Sequence, residues 1–260
     1  MRIEAVIFDW AGTTVDYGCF APVQAFVEVF KHFGIEPAMD EVRKPMGMLK
    51  RDHIKTMLGM DRIHGLWLEK YAREPEEKDI DNMYSLFEEK LMSILERFAD
   101  PKPFVLDAVS KLRDMGMKIG STTGYTDEMM AVVTREAKAA GYEPDCWFSP
   151  NSVGNAGRPY PFMIFKNMET LKISGVHSVV KVGDTVSDIK EGKNAGVISV
   201  GVLEGSSEMG LTQEEYEALD ELQREIRLEK AKNVFEAAGA DYVMKNMKEL
   251  PQLIEKLGQL

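Results

Sequence analysis

The sequence predicts an α/β fold: a Rossmann-like parallel sheet core with helices on both faces, plus an inserted all-helical cap domain. Two observations carry this. Short apolar runs alternate with helical patterns along most of the chain, and one long stretch interrupts the alternation with helices alone. In chain order, strands are expected at 3–8, 117–122, 146–148, 178–182, 197–202 and 242–244. Helices are expected at 103–115, 126–140, 160–172, 186–195, 212–238 and 246–257. Sites in open parallel sheets lie at the carboxyl ends of strands. Asp9, Thr123 and Asp184 all stand at such ends.

The interruption runs over 20–99. Residues 22–33 are amphipathic and are stopped by Gly34; 47–58 form a second helical pattern. In 79–98, Ile80, Met83, Leu86, Phe87, Leu91 and Leu95 recur at helical spacing. Asp100-Pro101-Lys102-Pro103 reads as the return hinge, because proline restricts the residue before it. The expected division is therefore a core of 1–19 and 100–260 and a helical cap of 20–99. The charged stretch 203–238 reads as a solvated surface element and is assigned no chemistry.

Composition narrows the function classes. The 260 residues are 44% hydrophobic and 29% charged, as in an ordinary globular protein, with a net charge of −11. A nucleic-acid binder would show a basic face, so DNA and RNA are excluded as first guesses. No apolar run approaches the ~20 residues of a membrane span. The start, Met1-Arg2-Ile3-Glu4, lacks a signal-peptide pattern, and Cys19 and Cys146 form no metal or disulfide framework. A cytoplasmic protein with a small-molecule substrate is expected. An anionic substrate on this acidic chain needs local cations, from a metal or a few placed Lys and Arg.

Asp9 opens the turn Asp-Trp-Ala-Gly-Thr-Thr-Val-Asp, and taken alone it could cap the next element. Two further features change that reading. Gly183-Asp184-Thr185-Val186-Ser187-Asp188 follows another strand in the same way, with its carboxylates four residues apart, and Thr122-Thr123-Gly124 ends a third strand. Carboxylates converging with hydroxyl and amide donors suit a hard cation and a phosphoryl group, and an oxygen-only set suits Mg²⁺.

In order and spacing these motifs resemble the haloacid dehalogenase superfamily over nearly the whole chain. The resemblance implies that Asp9 attacks phosphorus to form an aspartyl-phosphate that water hydrolyses. It implies that Asp9, Asp184 and the backbone carbonyl of Ala11 bind Mg²⁺, that Asp188 holds metal-bound water or orients the site, and that Thr123 and the Gly124 amide hold phosphoryl oxygens. Phosphatases of the superfamily carry a second Asp two residues after the nucleophile, as acid and base for an alkoxide leaving group. Here that position is Ala11. The chain is then catalytically silent, or slow, or acts on a leaving group that needs no such acid.

Lys50 favours the last reading. Cleaving a C–P bond toward phosphorus leaves a carbanion, and a neutral lysine that condenses with a neighbouring aldehyde turns that carbanion into an enamine. Arg51 is adjacent, and His53 lies at i+3 on the same helical face, where it can move protons. With Asp9-Trp10-Ala11-Gly12-Thr13-Thr14, the segment Met46-Gly47-Met48-Leu49-Lys50, Gly124-Tyr125-Thr126 and Gly157-Arg158-Pro159-Tyr160-Pro161, the chain resembles the phosphonatase branch of the superfamily. That implies hydrolysis of phosphonoacetaldehyde to acetaldehyde and phosphate in 2-aminoethylphosphonate degradation, through an imine on Lys50, and a homodimer. Arg158 is implied as the phosphoryl-binding cation; a loop ion pair is its other reading. Gly12 is expected to permit close backbone approach, and Met46 and Tyr125 to line the substrate. Asp16 reads as bonding to its own loop, Cys19 as a small buried hydrophobe or, alternatively, a residue lining the site, and the aromatic run 160–168 as either core or subunit interface.

Phosphate-monoester hydrolases and sugar phosphomutases both need the carboxylate that Ala11 replaces. A 2-haloacid dehalogenase attacks carbon and has no use for the metal carboxylates. A silent binding protein on this fold is the alternative from another class.

Overall fold

A computed structural model of the chain describes residues 2–259. Six strands, β1 (Ala5–Phe8), β2 (Lys118–Thr122), β3 (Cys146–Phe148), β4 (Val179–Gly183), β5 (Ile198–Val202) and β6 (Tyr242–Met244), form one sheet in the order β3-β2-β1-β4-β5-β6. Every neighbouring pair is parallel. β1 and β4 are buried along their whole length, as their Val- and Ile-rich sequences require of strands covered on both faces. Ala5 pairs with both Lys118 and Val179, and Phe8 with Ser121 and Val182, so β1, β2 and β4 end level. Asp9, Thr123 and Asp184 therefore leave the sheet at one edge, at the strand where the order reverses.

Between β1 and β2 the regular elements are all helical: the insert holds Phe20–His32, Met39–Arg43, Lys50–Leu58, Asp61–Tyr71, Glu77–Met92 and a 3₁₀ turn at Leu95–Phe98, and Val105–Asp114 leads back into β2. The apolar faces of this insert converge on Phe26, Phe87, Trp67 and Met83, with Phe26 stacked on Phe87 at 4.3 Å. Its exit is pinned to its entrance: Val15 bridges Pro101, and the Lys102 amide donates to Thr14 O at 2.8 Å.

Three helical expectations change in detail. The helix beginning near 47 starts only at Lys50, because Gly47 takes a positive φ of 85° in the preceding turn. Asp61–Tyr71, buried through Ile63 and Trp67, is an additional helix. The stretch 212–238 is two helices, Gln213–Ala218 and Glu221–Ala237, each with its own N-cap, Thr212 and Asp220. Among the described residues no helix is long and apolar enough to cross a membrane.

Candidate active site

Asp9 extends β1, its amide bonded to Val182 O at 3.0 Å, so the next residues must turn away from the sheet. Gly12 makes that turn at a φ of 84°, and a Cβ there would overlap the Asp184 carboxylate. The position admits only glycine on both counts. Thr13 Oγ1 donates to Asp184 Oδ1 at 2.9 Å, and Thr14 Oγ1 to the Asp9 carbonyl at 3.0 Å, tying the turn to the two strands it joins.

Asp9, Asp184 and Asp188 are buried and offer oxygens within 4.8 Å of one another. Asp184 also accepts from the Ser207 amide at 2.8 Å. Burial, then Asp9 and Asp188, push its carboxyl well above the usual range. Asp188 is engaged differently. Its Oδ2 accepts from Thr185 Oγ1 at 2.6 Å, and its Oδ1 lies 3.0 Å from Arg158 Nη1 and 2.9 Å from Lys181 Nζ, in ion-pair range but without an aligned hydrogen bond. Burial raises this carboxyl, and Arg158 and Lys181 more than reverse that, holding it low. Hard oxygen donors, all buried and with one acceptor unaligned, fit a metal ion, which would relieve the repulsion between Asp9 and Asp184.

Arg158 sits at the centre of these charges. Its Nη2 donates to Asp9 Oδ1 at 2.6 Å and to Thr122 O and Oγ1 at 3.0 and 2.9 Å, and its Nε to Glu191 Oε2 at 3.0 Å. Burial pulls this guanidinium down, but Asp188, Asp9 and Glu191 outweigh it and keep the cation charged. Of the two sequence readings of Arg158, the ion pair is the one seen, buried rather than on a loop surface, and the same guanidinium faces the Asp9 carboxylate.

One cavity is lined by Asp9, Ala11, Cys19, Met46, Lys50, Thr123, Gly124, Tyr125 and Arg158. It leaves about 20 Å³ for the centre of a water-sized body, room for about one water. Lys50, at the first turn of its helix, hangs over it from the insert, 5.4 Å from the Tyr125 ring centre. A Cβ on Gly124 would stand 3.9 Å from Lys50 Nζ and 3.5 Å from Met48 O, which shows how closely the insert rests on the turn after β2. Burial lowers the Lys50 pKa, with Cys19 and Asp9 opposing that shift. Burial likewise pushes the Cys19 thiol well up. Thr123 Oγ1 accepts from the Tyr125 amide at 3.0 Å, shaping the turn.

Most residues singled out in the sequence meet here, Gly12, Asp184 and Asp188 just behind the cavity wall. His53 does not line it. Its ring stacks on Phe26 at 3.8 Å inside the insert, with Nε2 2.8 Å from Val42 O and Nδ1 without a partner. Burial and the neighbouring Lys50 hold it well below the usual histidine range, so it is neutral.

Four contributors escaped the sequence reading. Lys181 and Glu191 are fully buried beside Asp188. Lys102, buried in the return hinge, donates to the carbonyls of Gly12 and, at 2.8 Å, Glu204, and burial pulls its pKa to about 8. Ser207 lies in the stretch to which no chemistry was assigned, a reading its bond to Asp184 corrects. A signal existed for Lys181, one charge inside an apolar strand, and for Glu191, one helical turn beyond Asp188.

Residues 3–196 match the family model of the haloacid dehalogenase-like hydrolases. A phosphonoacetaldehyde hydrolase of Bacillus cytotoxicus is 53% identical over 98% of this chain and 96% of its own length. A bifunctional phosphonoacetaldehyde hydrolase/aminoethylphosphonate transaminase of Clostridioides difficile is 50% identical over 98% of this chain and 40% of its own length. Among solved structures, a phosphonoacetaldehyde hydrolase-like protein of Oleispira antarctica superposes with a TM-score of 0.97 at 37% identity, covering 100% of this chain and 94% of that one. The chain belongs to the haloacid dehalogenase-like hydrolases and, within them, to the phosphonoacetaldehyde hydrolase family.

Proposed function

We propose that this protein hydrolyses the C–P bond of phosphonoacetaldehyde to acetaldehyde and phosphate, with Lys50 and Asp9 acting from opposite walls of one cavity. The observation that carries the reading is that shared cavity: a buried amine, a carboxylate and a guanidinium meet where Ala11 leaves no second carboxylate. The neutral Lys50 amine adds to the aldehyde and water leaves, giving an imine. An Asp9 oxygen then attacks phosphorus, and the C–P electron pair moves into the enamine. Protonation at carbon and hydrolysis release acetaldehyde and Lys50. Water cleaves the aspartyl-phosphate, freeing phosphate and Asp9.

Arg158, Thr123 Oγ1 and the Gly124 amide bind the phosphoryl oxygens, which disengages Arg158 Nη2 from Asp9 and frees the nucleophile. Met46 and Tyr125 exclude water around the imine. His53, donating through Nε2 to Val42 O, leaves its buried Nδ1 without a partner, and this free lone pair, on a residue one helical turn from Lys50, supports it as the proton carrier for imine formation although it stands behind the cavity wall. Asp9, Asp184 and the Ala11 carbonyl hold Mg²⁺, with Asp188 ordering its surroundings. The ion supplies charge neutralisation that lets a phosphonate dianion approach three carboxylates. The cavity admits about one water, so the helical insert 20–99 works as a separate cap on the core of 1–19 and 100–260, opening for substrate and closing over it.

Phe162 and Phe165 are exposed on helix Phe162–Leu171, and exposed Tyr160, just before it, stacks on Phe162, while Met163 and Ile164 of the same helix are buried. This supports a homodimer through that aromatic face, which sedimentation would show as twice the chain mass. The transaminase fused to the Clostridioides difficile relative supports a role in aminoethylphosphonate degradation, aminotransfer supplying the aldehyde.

The test is borohydride reduction of protein mixed with phosphonoacetaldehyde and Mg²⁺, followed by peptide mapping and phosphate measurement. A reduced adduct on Lys50, phosphate release that stops on chelation and returns with Mg²⁺, and loss of both adduct and release in Lys50→Arg are expected. Near-normal turnover in Lys50→Arg would end the imine mechanism.

A further inference from the structure

Arg158 is surrounded by more carboxylate than a phosphoryl-binding arginine needs. Asp9, Asp188 and Glu191 all reach it, and Glu191 is the one that lies outside both the cavity and the acidic triad. We infer that Glu191 is the positioning residue for the phosphoryl-binding arginine, holding Arg158 by its Nε edge so that the terminal nitrogens face Asp9. The inference rests on the proposed phosphoryl-binding role of Arg158.

A guanidinium presents one edge through Nε and an end through its two terminal nitrogens. Here the edge and the end are used by different partners. Nε goes only to Glu191 Oε2, at 3.0 Å, while Nη2 and Nη1 go to Asp9 and Asp188. A phosphoryl group entering the cavity meets the terminal nitrogens, which exchange carboxylate oxygens for phosphoryl oxygens. The Nε contact survives that exchange and keeps the plane of the guanidinium fixed. The same Oε2 accepts from Thr122 Oγ1 at 2.9 Å, and Thr122 in turn accepts from Arg158 Nη2 at Oγ1 and at its carbonyl. Glu191 thereby locks Arg158 to the end of β2, one residue before Thr123. The two phosphoryl-binding groups, from distant parts of the chain, are set in register through one carboxylate oxygen.

Charge explains why the residue is a glutamate in a dry place. Glu191 is fully buried on helix Val186–Ala195, and burial raises its pKa while Arg158 and then Lys181 oppose the rise. Lys181 Nζ is 3.6 Å from Glu191 and 2.9 Å from Asp188. Arg158, Lys181, Asp188 and Glu191 thus form a block of two cations and two anions beneath the site. Lys181 shares with Arg158 the task of balancing Asp188 and Glu191, so the block is neutral as a whole. Residues that orient a binding group in this way set affinity through geometry.

The experiment compares Glu191→Leu and Glu191→Gln in the full chain with Mg²⁺. KM for phosphonoacetaldehyde is measured alongside borohydride trapping of Lys50 by acetaldehyde, an aldehyde without a phosphoryl group. Glu191→Leu removes the acceptor for Nε and is expected to raise KM about tenfold while leaving acetaldehyde trapping unchanged. Glu191→Gln keeps an oxygen acceptor and is expected to hold KM within about threefold. A wild-type KM in Glu191→Leu overturns the inference. So does parallel loss of acetaldehyde trapping, which marks general damage, and so does a Gln variant as impaired as Leu. If Glu191→Leu yields no folded protein, Thr122→Val decides: a several-fold rise in KM with intact trapping supports the inference, and an unchanged KM overturns it. Failure of the wild-type protein to release phosphate from phosphonoacetaldehyde would instead strike the functional reading itself.

Discussion

Lys50 is a cation placed where a cation is costly, and its chemistry follows from that placement. It is fully buried between the insert and the core, and burial lowers its pKa from 10.5 against the opposing pull of Cys19 and Asp9. Imine formation needs the neutral amine. The rate of borohydride trapping should therefore rise with pH through a midpoint below that of an exposed lysine, and fall as the pH drops beneath it. A trapping profile centred on the ordinary lysine value would remove burial as the activating cause. The linked effect on stability has a fixed sign. Between the lowered folded value and the unfolded one, the unfolded chain binds more protons, so stability from this group falls as pH falls through that window. Asp9 and Asp184 were legible in the sequence because each follows the end of a strand, whereas Lys50 and Arg158 were reached only through the family resemblance. Lys102 was not legible, because a buried charge with an internal partner looks in sequence like any solvated one, and for Glu191 the only signal was its place one helical turn beyond Asp188. Only the fold brings Glu191 to Arg158, 33 residues away.

At the scale of elements, the site depends on how the first helix of the insert is started. Cys19, before Phe20–His32, has a left-handed φ of 55° and gives no side-chain cap. Asp16 supplies it instead, accepting from the Phe20 and Ala21 amides at 2.8 and 3.0 Å. The loop bond expected of Asp16 is thus a helix cap, and it fixes the angle at which the insert leaves the core. Asp16→Ala should lower stability by about 1–2 kcal/mol in denaturant unfolding. An unchanged midpoint would show that the Phe20 and Ala21 amides find water at no cost. Element type was readable from periodicity: all six strands fall within the ranges expected or extend them by one residue, because apolar runs between turn residues have few other solutions. Boundaries were less readable where capping decided them. Thr212 and Asp220 start separate helices inside what periodicity reads as one, and Gly47 delays the helix that carries Lys50.

For the whole molecule, the central fact is that the insert is drawn down onto the sheet edge by few polar contacts. Arg43 Nη1 donates to Gly18 O at 2.8 Å and to Ser207 O at 3.2 Å, with the guanidinium 4.9 Å from the Phe20 ring centre. Ser187 Oγ donates to Met46 O at 3.4 Å, and the backbone of 47–48 rests on Gly124. Arg43 is the only one of these contacts that joins the insert to the segment whose Ser207 amide holds Asp184. On the proposed mechanism, closing the insert over substrate would then be coupled to the segment that holds Asp184. Arg43→Ala, which removes the bridge and leaves Asp9, Lys50 and Arg158 in place, should shift the balance toward open forms. A ligand that binds only the closed form then binds more weakly by the fraction of closed form lost. KM for phosphonoacetaldehyde should rise by about three- to tenfold with a smaller change in kcat, and hydrogen exchange should speed at 44–50. Unchanged exchange there, or a fall in kcat at constant KM, would mean that Arg43 does not hold the insert closed.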